Sequence, residues 1–180
     1  MNSKTIHHYL KYVLFGILVV ATTMAAAVTK EHAVKAGLIY NITKFVIWPN
    51  HAYQDEKFNF CIVGDDNLNG ALEALYDKLA DGRPIVLRRT MSNKNFKECQ
   101  IIFIAKEGVR NAKLILKELK NVPILTVSDR KDFINQGGMI GLIRDGNRVG
   151  FEVDLAAVKA SGLNMSSQLL KLAKRVKGIK

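Results

Sequence analysis

Two carboxylates, Asp65 and Asp66, follow the apolar run Phe58 to Gly64, and a hydroxyl, Ser128, closes a second run that starts at Pro123. If both runs are strands of one open sheet, these groups fall at strand carboxyl ends, where α/β folds commonly bind ligands. One chemistry for such a set is phosphoryl acceptance. That chemistry needs a further aspartate at the end of the strand Cys99 to Ala105, and the chain has Ala105-Lys106 there. The acidic pair therefore reads first as a helix cap, where negative charge is favoured. Its second reading is the wall of a small-molecule pocket built from Asp65, Asp66 and Ser128. The stretch QGGMIGLIRDGNRVGFEVD, Gln136 to Asp154, raises phosphate binding in another form. A phosphate cradle needs backbone amides aimed by a following helix N-terminus. Gly137-Gly138 precede a β-rich run instead, so they are expected to shape the backbone and not to hold a nucleotide.

Other catalytic sets are missing from the sequence. Of its 4 histidines, His7 and His8 stand near the start, and His32 and His51 are too isolated for a zinc site or an H-E-x-x-H helix. There is no G-x-S-x-G elbow and no Cys-x-x-Cys, and Ser128-Asp129 has no histidine at local spacing to activate a nucleophile. The expectation is a binding protein with no catalytic residue, no metal site and no cofactor.

The elements that would position these groups follow from periodicity. Val34, Leu38, Ile42 and Phe45 recur every three to four residues, predicting an amphipathic helix over Ala33 to Trp48, stopped near Pro49. FNFCIVG, Phe58 to Gly64, predicts a strand. A helix capped by Asp65-Asp66-Asn67 is expected through Leu79, with Leu68, Leu72, Leu75 and Leu79 as its stripe. PIVLRR, CQIIFIA and PILTVS predict three further strands, with a polar connection TMSNKNFKE holding at most a helical turn, and a helix over Val109 to Leu119. MIGLIR and RVGFEV flank Asp145-Gly146-Asn147, a strong hairpin signal. Leu155 to Ser161 follows, and a last helix is expected from Met165 with Leu169, Leu170, Ala173 and Val176 inward. The fold class is α/β: a single domain with a mixed, mostly parallel sheet flanked by helices, an N-terminal helix, and a C-terminal β-hairpin plus helix.

The ends of the chain set its compartment. Residues 1–27 have the layout of a secretory signal peptide: basic Lys4 and Lys11, an apolar run from Tyr12 to Val20, and Ala25-Ala26-Ala27 before the expected cut. The apolar run is short for a membrane span, with an uncleaved anchor as the alternative. The remaining chain, residues 28–180, fits one domain. Loss of Lys4 and Lys11 takes the net charge from +11 to +9. Export turns that charge away from nucleic acid and toward acidic protein surfaces or anionic lipid. Five cations, Lys171, Lys174, Arg175, Lys177 and Lys180, crowd the C-terminus, where a solvated helix face accounts for them. The 2 cysteines, Cys61 and Cys99, form an even count in an exported chain, which makes a disulfide the default and two buried thiols the alternative.

The blocks AVKAGLIYNITKFVIWP, FCIVGDDNLNGAL, GRPIVLRR, CQIIFIA, ILTVSD, GGMIGLI, FEVDLAA and LNMSSQLLKLA resemble, in order, those of the YfiR-like periplasmic proteins, over Val34 to Ala173. The resemblance implies a periplasmic regulator that binds and represses an inner-membrane diguanylate cyclase, lowering cyclic di-GMP and biofilm formation. It also implies an outer-membrane lipoprotein that draws the regulator away; a homodimer is the expected assembly. By the same resemblance Cys61 and Cys99 match the family's paired cysteines, and Ser166 to Leu170 its C-terminal signature. The chain lacks a second cysteine pair that some relatives carry near the hairpin, and Asp154 stands where many relatives have Asn. If the strands bearing Cys61 and Cys99 are neighbours, an intramolecular bridge is within reach, with stability as its first role and redox sensing second.

Overall fold

In the computed structural model of the chain, residues 30–53, 56–65, 68, 70–90, 93–106 and 111–178 are described. The expected signal peptide lies outside them. The first element among the described residues is helix α1, residues 30–43. Ten strands follow in chain order: β1 (Val46–Ile47), β2 (Phe58–Val63), β3 (Leu79–Ala80), β4 (Arg83–Thr90), β5 (Ile101–Ile104), β6 (Leu125–Ser128), β7 (Ile140–Asp145), β8 (Arg148–Asp154), β9 (Asn164–Met165) and β10 (Arg175–Lys177). Between them stand α2 (Ala112–Glu118), α3 (Leu155–Ala160) and α4 (Ser167–Leu172). Eight strands form one sheet in the order β10-β8-β7-β6-β5-β2-β4-β3, and β1 pairs with β9 apart from it. The block β4-β2-β5-β6-β7 is parallel throughout, while β3 on β4 and β8 on β7 are antiparallel. This is the mixed, mostly parallel sheet that the strand and helix alternation predicts.

Alternation along the central strands feeds two cores, since successive side chains of a strand point to opposite faces. Phe58, Phe60 and Ile62 of β2, with Ile101 and Phe103 of β5, join Ile39 and Ile42 of α1 in the larger core. Cys61, Val63, Ile102 and Ile104 face the other way, onto Ala112, Ile115 and Leu116 of α2. Trp48 ties α1's exit to the first face. Its ring meets Phe58 edge-on at 5.1 Å, and its Nε1 donates to the Gln100 carbonyl at 2.9 Å. Burial of large side chains like these contributes about 1.5–3 kcal/mol each.

Three expected helices take another form. The stripe expected over Asp65 to Leu79 becomes a 3-10 turn, Ala71–Leu75, that buries Leu72 and Leu75, which eclipse at a three-residue repeat. Gly70 before it sits at φ 76, and beyond it the chain reverses through Asp77 and Asp81, both at positive φ, so that Leu79 joins edge strand β3 with its side chain exposed. The helix expected to Trp48 ends at residue 43, because β-branched Val46-Ile47 pair with Met165 and Asn164 of β9. The last helix stops at Leu172, and Val176 lies on β10, parallel to β8. Ion pairs across that register hold it: Arg175 grips both carboxylate oxygens of Glu152, at 2.9 and 2.8 Å, and Lys177 reaches Asp154 at 3.0 Å. Lys174 pairs with Asp145. The basic C-terminus is thus in good part a sheet edge neutralised from within, and not the free helix face expected.

The glycine-rich stretch turns the chain. Gly137 takes φ +98, and a Cβ on Gly138 would fall 2.1 Å from Phe133 Cε1, so the backbone here approaches a buried ring as only glycine permits.

Candidate functional site at the carboxyl ends of the sheet

In the parallel block β2 comes first in the chain but lies between β4 and β5, so the winding direction reverses beside it. Crevices at such reversals, outside strand carboxyl ends, are the general ligand position in open α/β sheets. Asp65 and Ser128 both stand on this rim, with β5 between their strands. Asp66 lies outside the described residues.

Asp65 is exposed, and the next helical element among the described residues is the 3-10 turn Ala71–Leu75, not an α-helix beginning at the acidic pair. Ser128 is fully buried and its hydroxyl is engaged twice: Oγ donates to the Ile104 carbonyl at 2.6 Å and accepts from the Arg130 amide at 3.1 Å. The end of β5, where phosphoryl acceptance would need an aspartate, is instead covered by Arg130, whose guanidinium donates to the Lys106 carbonyl at 2.7 Å. Ser128 and Arg130 together clamp β6 to the end of β5.

The charged groups that converge on the rim are others. Lys35 of α1 donates to Asp129 Oδ2 at 3.0 Å and pairs with Glu31 Oε1 at 3.3 Å, while Glu31 Oε2 accepts from Arg144 of β7 at 3.0 Å. The chain of alternating charges ties the start of α1 to the ends of β6 and β7. Its inner end is sequestered, with 6% of the Asp129 side chain exposed and 15% of Lys35. Asp129 Oδ1 and His32 Nδ1 are buried without a hydrogen-bond partner. The helical spacing of Glu31 and Lys35 was legible as an i,i+4 pair. The placement of Asp129 opposite them depends on where β6 ends relative to α1, which no local pattern encodes.

The Cys61–Cys99 disulfide is present, with a Cα separation of 5.9 Å and both residues 2% exposed. It joins β2 to the residue that leads into β5. A polar network lies beside it: Gln100 Oε1 accepts from the Asn59 amide at 2.7 Å, its Nε2 donates to the Ala52 carbonyl at 2.7 Å, and Arg88 Nε donates to Asn59 Oδ1 at 2.9 Å. Buried polar atoms matched in this way fix the strand register and lose little on desolvation.

Among the described residues there is no group of three His, Cys, Asp or Glu side chains placed to hold a metal ion, and no helix long and apolar enough to cross a membrane. An open α/β sheet wound to both sides of its first parallel strand, stapled by one buried disulfide and with its rim tied up in internal pairs, defines the class of domain. The chain belongs to the YfiR/HmsC-like family, a family of periplasmic regulators, whose model matches residues 32–174. It is also similar to the crystal structure of a conserved domain protein from Vibrio cholerae O1 biovar El Tor, at 11% identity and a TM-score of 0.49. That match covers 66% of this chain and 54% of the other, so the chain spans about half the length of that protein.

Proposed function

We infer that this protein is an exported regulator that binds the periplasmic domain of an inner-membrane diguanylate cyclase and restrains it, lowering cyclic di-GMP and biofilm formation. The observation that carries the reading is the family match over residues 32–174. The internal use of Ser128, Asp129 and Arg130 supports a role in binding over one in catalysis. An outer-membrane lipoprotein that sequesters the regulator would relieve the cyclase, and a homodimer is the assembly that goes with this reading. Deleting the gene is expected to raise cyclic di-GMP, and restoring it to lower the level again. An unchanged level in the deletion strain overturns the reading.

A second reading, a sensor for a small ligand at the carboxyl rim near Asp65, Asp66 and Ser128, has one observation in its favour: the buried Asp129 carboxylate with an unpartnered Oδ1. A thermal-shift screen with amino acids and nucleotides tests it. A ligand at 100 times its dissociation constant adds about 2.7 kcal/mol of stability, and no shift across the screen removes the case for it.

A further inference from the structure

At the amino ends of β6 and β7, away from the carboxyl rim, lies a groove of about 360 Å³ between α2 and α3. Its floor is apolar: Leu116 and Leu119 from the α2 side and Met139 ahead of β7, all at least nine-tenths buried, with Ala157 beside them. Its rim on one side is Lys113 and Lys117, one turn apart on α2, and Lys120 in the turn just beyond the helix's C-terminus. Those lysines are exposed, and none of them makes an ion pair among the described residues. At the C-terminal edge of the sheet the cations are answered, Lys174 by Asp145, Arg175 by Glu152 and Lys177 by Asp154. Three exposed lysines without an ion pair among the described residues thus stand beside an apolar concavity, and no acidic side chain lines that concavity.

A second copy of the chain is a poor occupant. A two-fold contact through this groove would bring two lysine-rimmed linings together, neither of which contains an acidic side chain. A flat bilayer is poor as well, because its surface reaches the lysines but not the floor. What satisfies both features is a protruding segment with apolar side chains for the floor and carboxylates for the rim. We propose that the groove is the docking site for an acidic, apolar-anchored segment of the partner protein, which inserts over Leu116 and Met139 and pairs with Lys113, Lys117 and Lys120. The proposal rests on the reading that this regulator acts by binding another protein, and it names the surface that does so.

The test uses the exported protein purified from cells and right-side-out inner-membrane vesicles from the strain that lacks the gene. Two variants are compared with the wild type: Lys113→Glu/Lys117→Glu/Lys120→Glu, which reverses the rim, and Ala160→Trp, which fills the mouth of the groove from an exposed position without changing charge. Each is first shown to keep the wild-type melting temperature and the disulfide. Wild-type protein is expected to bind the vesicles saturably, more weakly as salt rises, and not at all after protease treatment of the vesicles. Both variants are expected to bind about tenfold or more weakly, since reversed rim charges repel an acidic partner. Wild-type-like binding by both variants overturns the proposal, as does a wild type that fails to bind. Binding that survives protease and recurs on phosphatidylethanolamine/phosphatidylglycerol vesicles assigns the lysines to lipid and overturns it too. So does a shift from dimer to monomer in the variants by sedimentation, which would make a second copy the occupant. Cyclic di-GMP in the same deletion strain separates the two claims: an unchanged level with variant-sensitive, protease-sensitive binding removes the cyclase and leaves the groove standing.

Discussion

At the scale of single residues, Asp154 joins two tasks that a substitution can separate. Its Oδ1 accepts from the Ala157 amide at 3.0 Å as the N-cap of α3, and its Oδ2 meets Lys177 at 3.0 Å. Asn keeps the cap and loses the charge, whereas Ala loses both. Asp154→Ala is expected to cost about 1–2 kcal/mol in urea unfolding and Asp154→Asn clearly less. Equal costs would show that the ion pair dominates. Tyr53 offers a test by pH. Burial, then its hydrogen bond to Asp81 and the charge of that carboxylate, hold its phenol well above the ordinary value, against the opposing Arg83, whose guanidinium lies 3.7 Å from the ring centre. A folded pKa above the unfolded one means stability that is complete below about pH 10 and declines as pH rises beyond it. In an alkaline titration followed by phenolate absorbance one tyrosine is expected to ionise late. Tyr53→Phe is expected to remove that late component, and its persistence would assign it elsewhere.

At the scale of elements, α1 is held to the sheet by its apolar face and by the Glu31, Lys35, Asp129 and Arg144 chain. Replacing Lys35 by Met leaves a nearly buried Asp129 without a counter-charge, which is expected to cost roughly 3 kcal/mol. Adding Asp129→Asn removes the stranded charge. The double variant is therefore expected to be more stable than Lys35→Met alone, a non-additivity that a double-mutant cycle in denaturant measures directly. Additive costs would mean that the two side chains do not act as a pair. Gly138 is the matching test on the turn before β7. Gly138→Ala drives a methyl group into the Phe133 ring and is expected to cost about 1–3 kcal/mol, because the ring belongs to a packed core and not to a flexible surface.

At the scale of the whole molecule, the disulfide closes a 38-residue loop that contains β3 and β4, across the centre of the sheet. Chain entropy puts its contribution at about 3–4 kcal/mol, a large share of the 5–15 kcal/mol typical of a domain. Reduction, or Cys61→Ala/Cys99→Ala, is expected to lower the melting temperature by roughly 10 °C. Because both cysteines are buried, reduction under native conditions should be slow and should follow opening of the fold. Rapid reduction with no loss of stability would point to a bridge that serves signalling instead.

How far the sequence reached can be seen in particular elements. By itself it determined the order and type of the central strands, the hairpin at Gly146, the capacity of Cys61 and Cys99 to pair, and the glycines as backbone devices. These depend on period-two alternation, turn chemistry and composition, which act over a few residues. The family, too, was legible in the ordered blocks. Only the tertiary structure decided that Leu72 and Leu75 belong to a 3-10 turn, because pairing of β3 with β4 outweighs the helical stripe. It alone made Arg175–Lys177 a strand, through ion pairs to residues more than 20 positions away. The same holds for function. The acidic pair and Ser128 were visible as residue types, yet the serine's hydrogen bonds to Ile104 and Arg130, the Lys35–Asp129 link and the lysine-rimmed groove arise from how the strands are wound. Contacts between distant segments set them, and no local pattern specifies which distant groups meet.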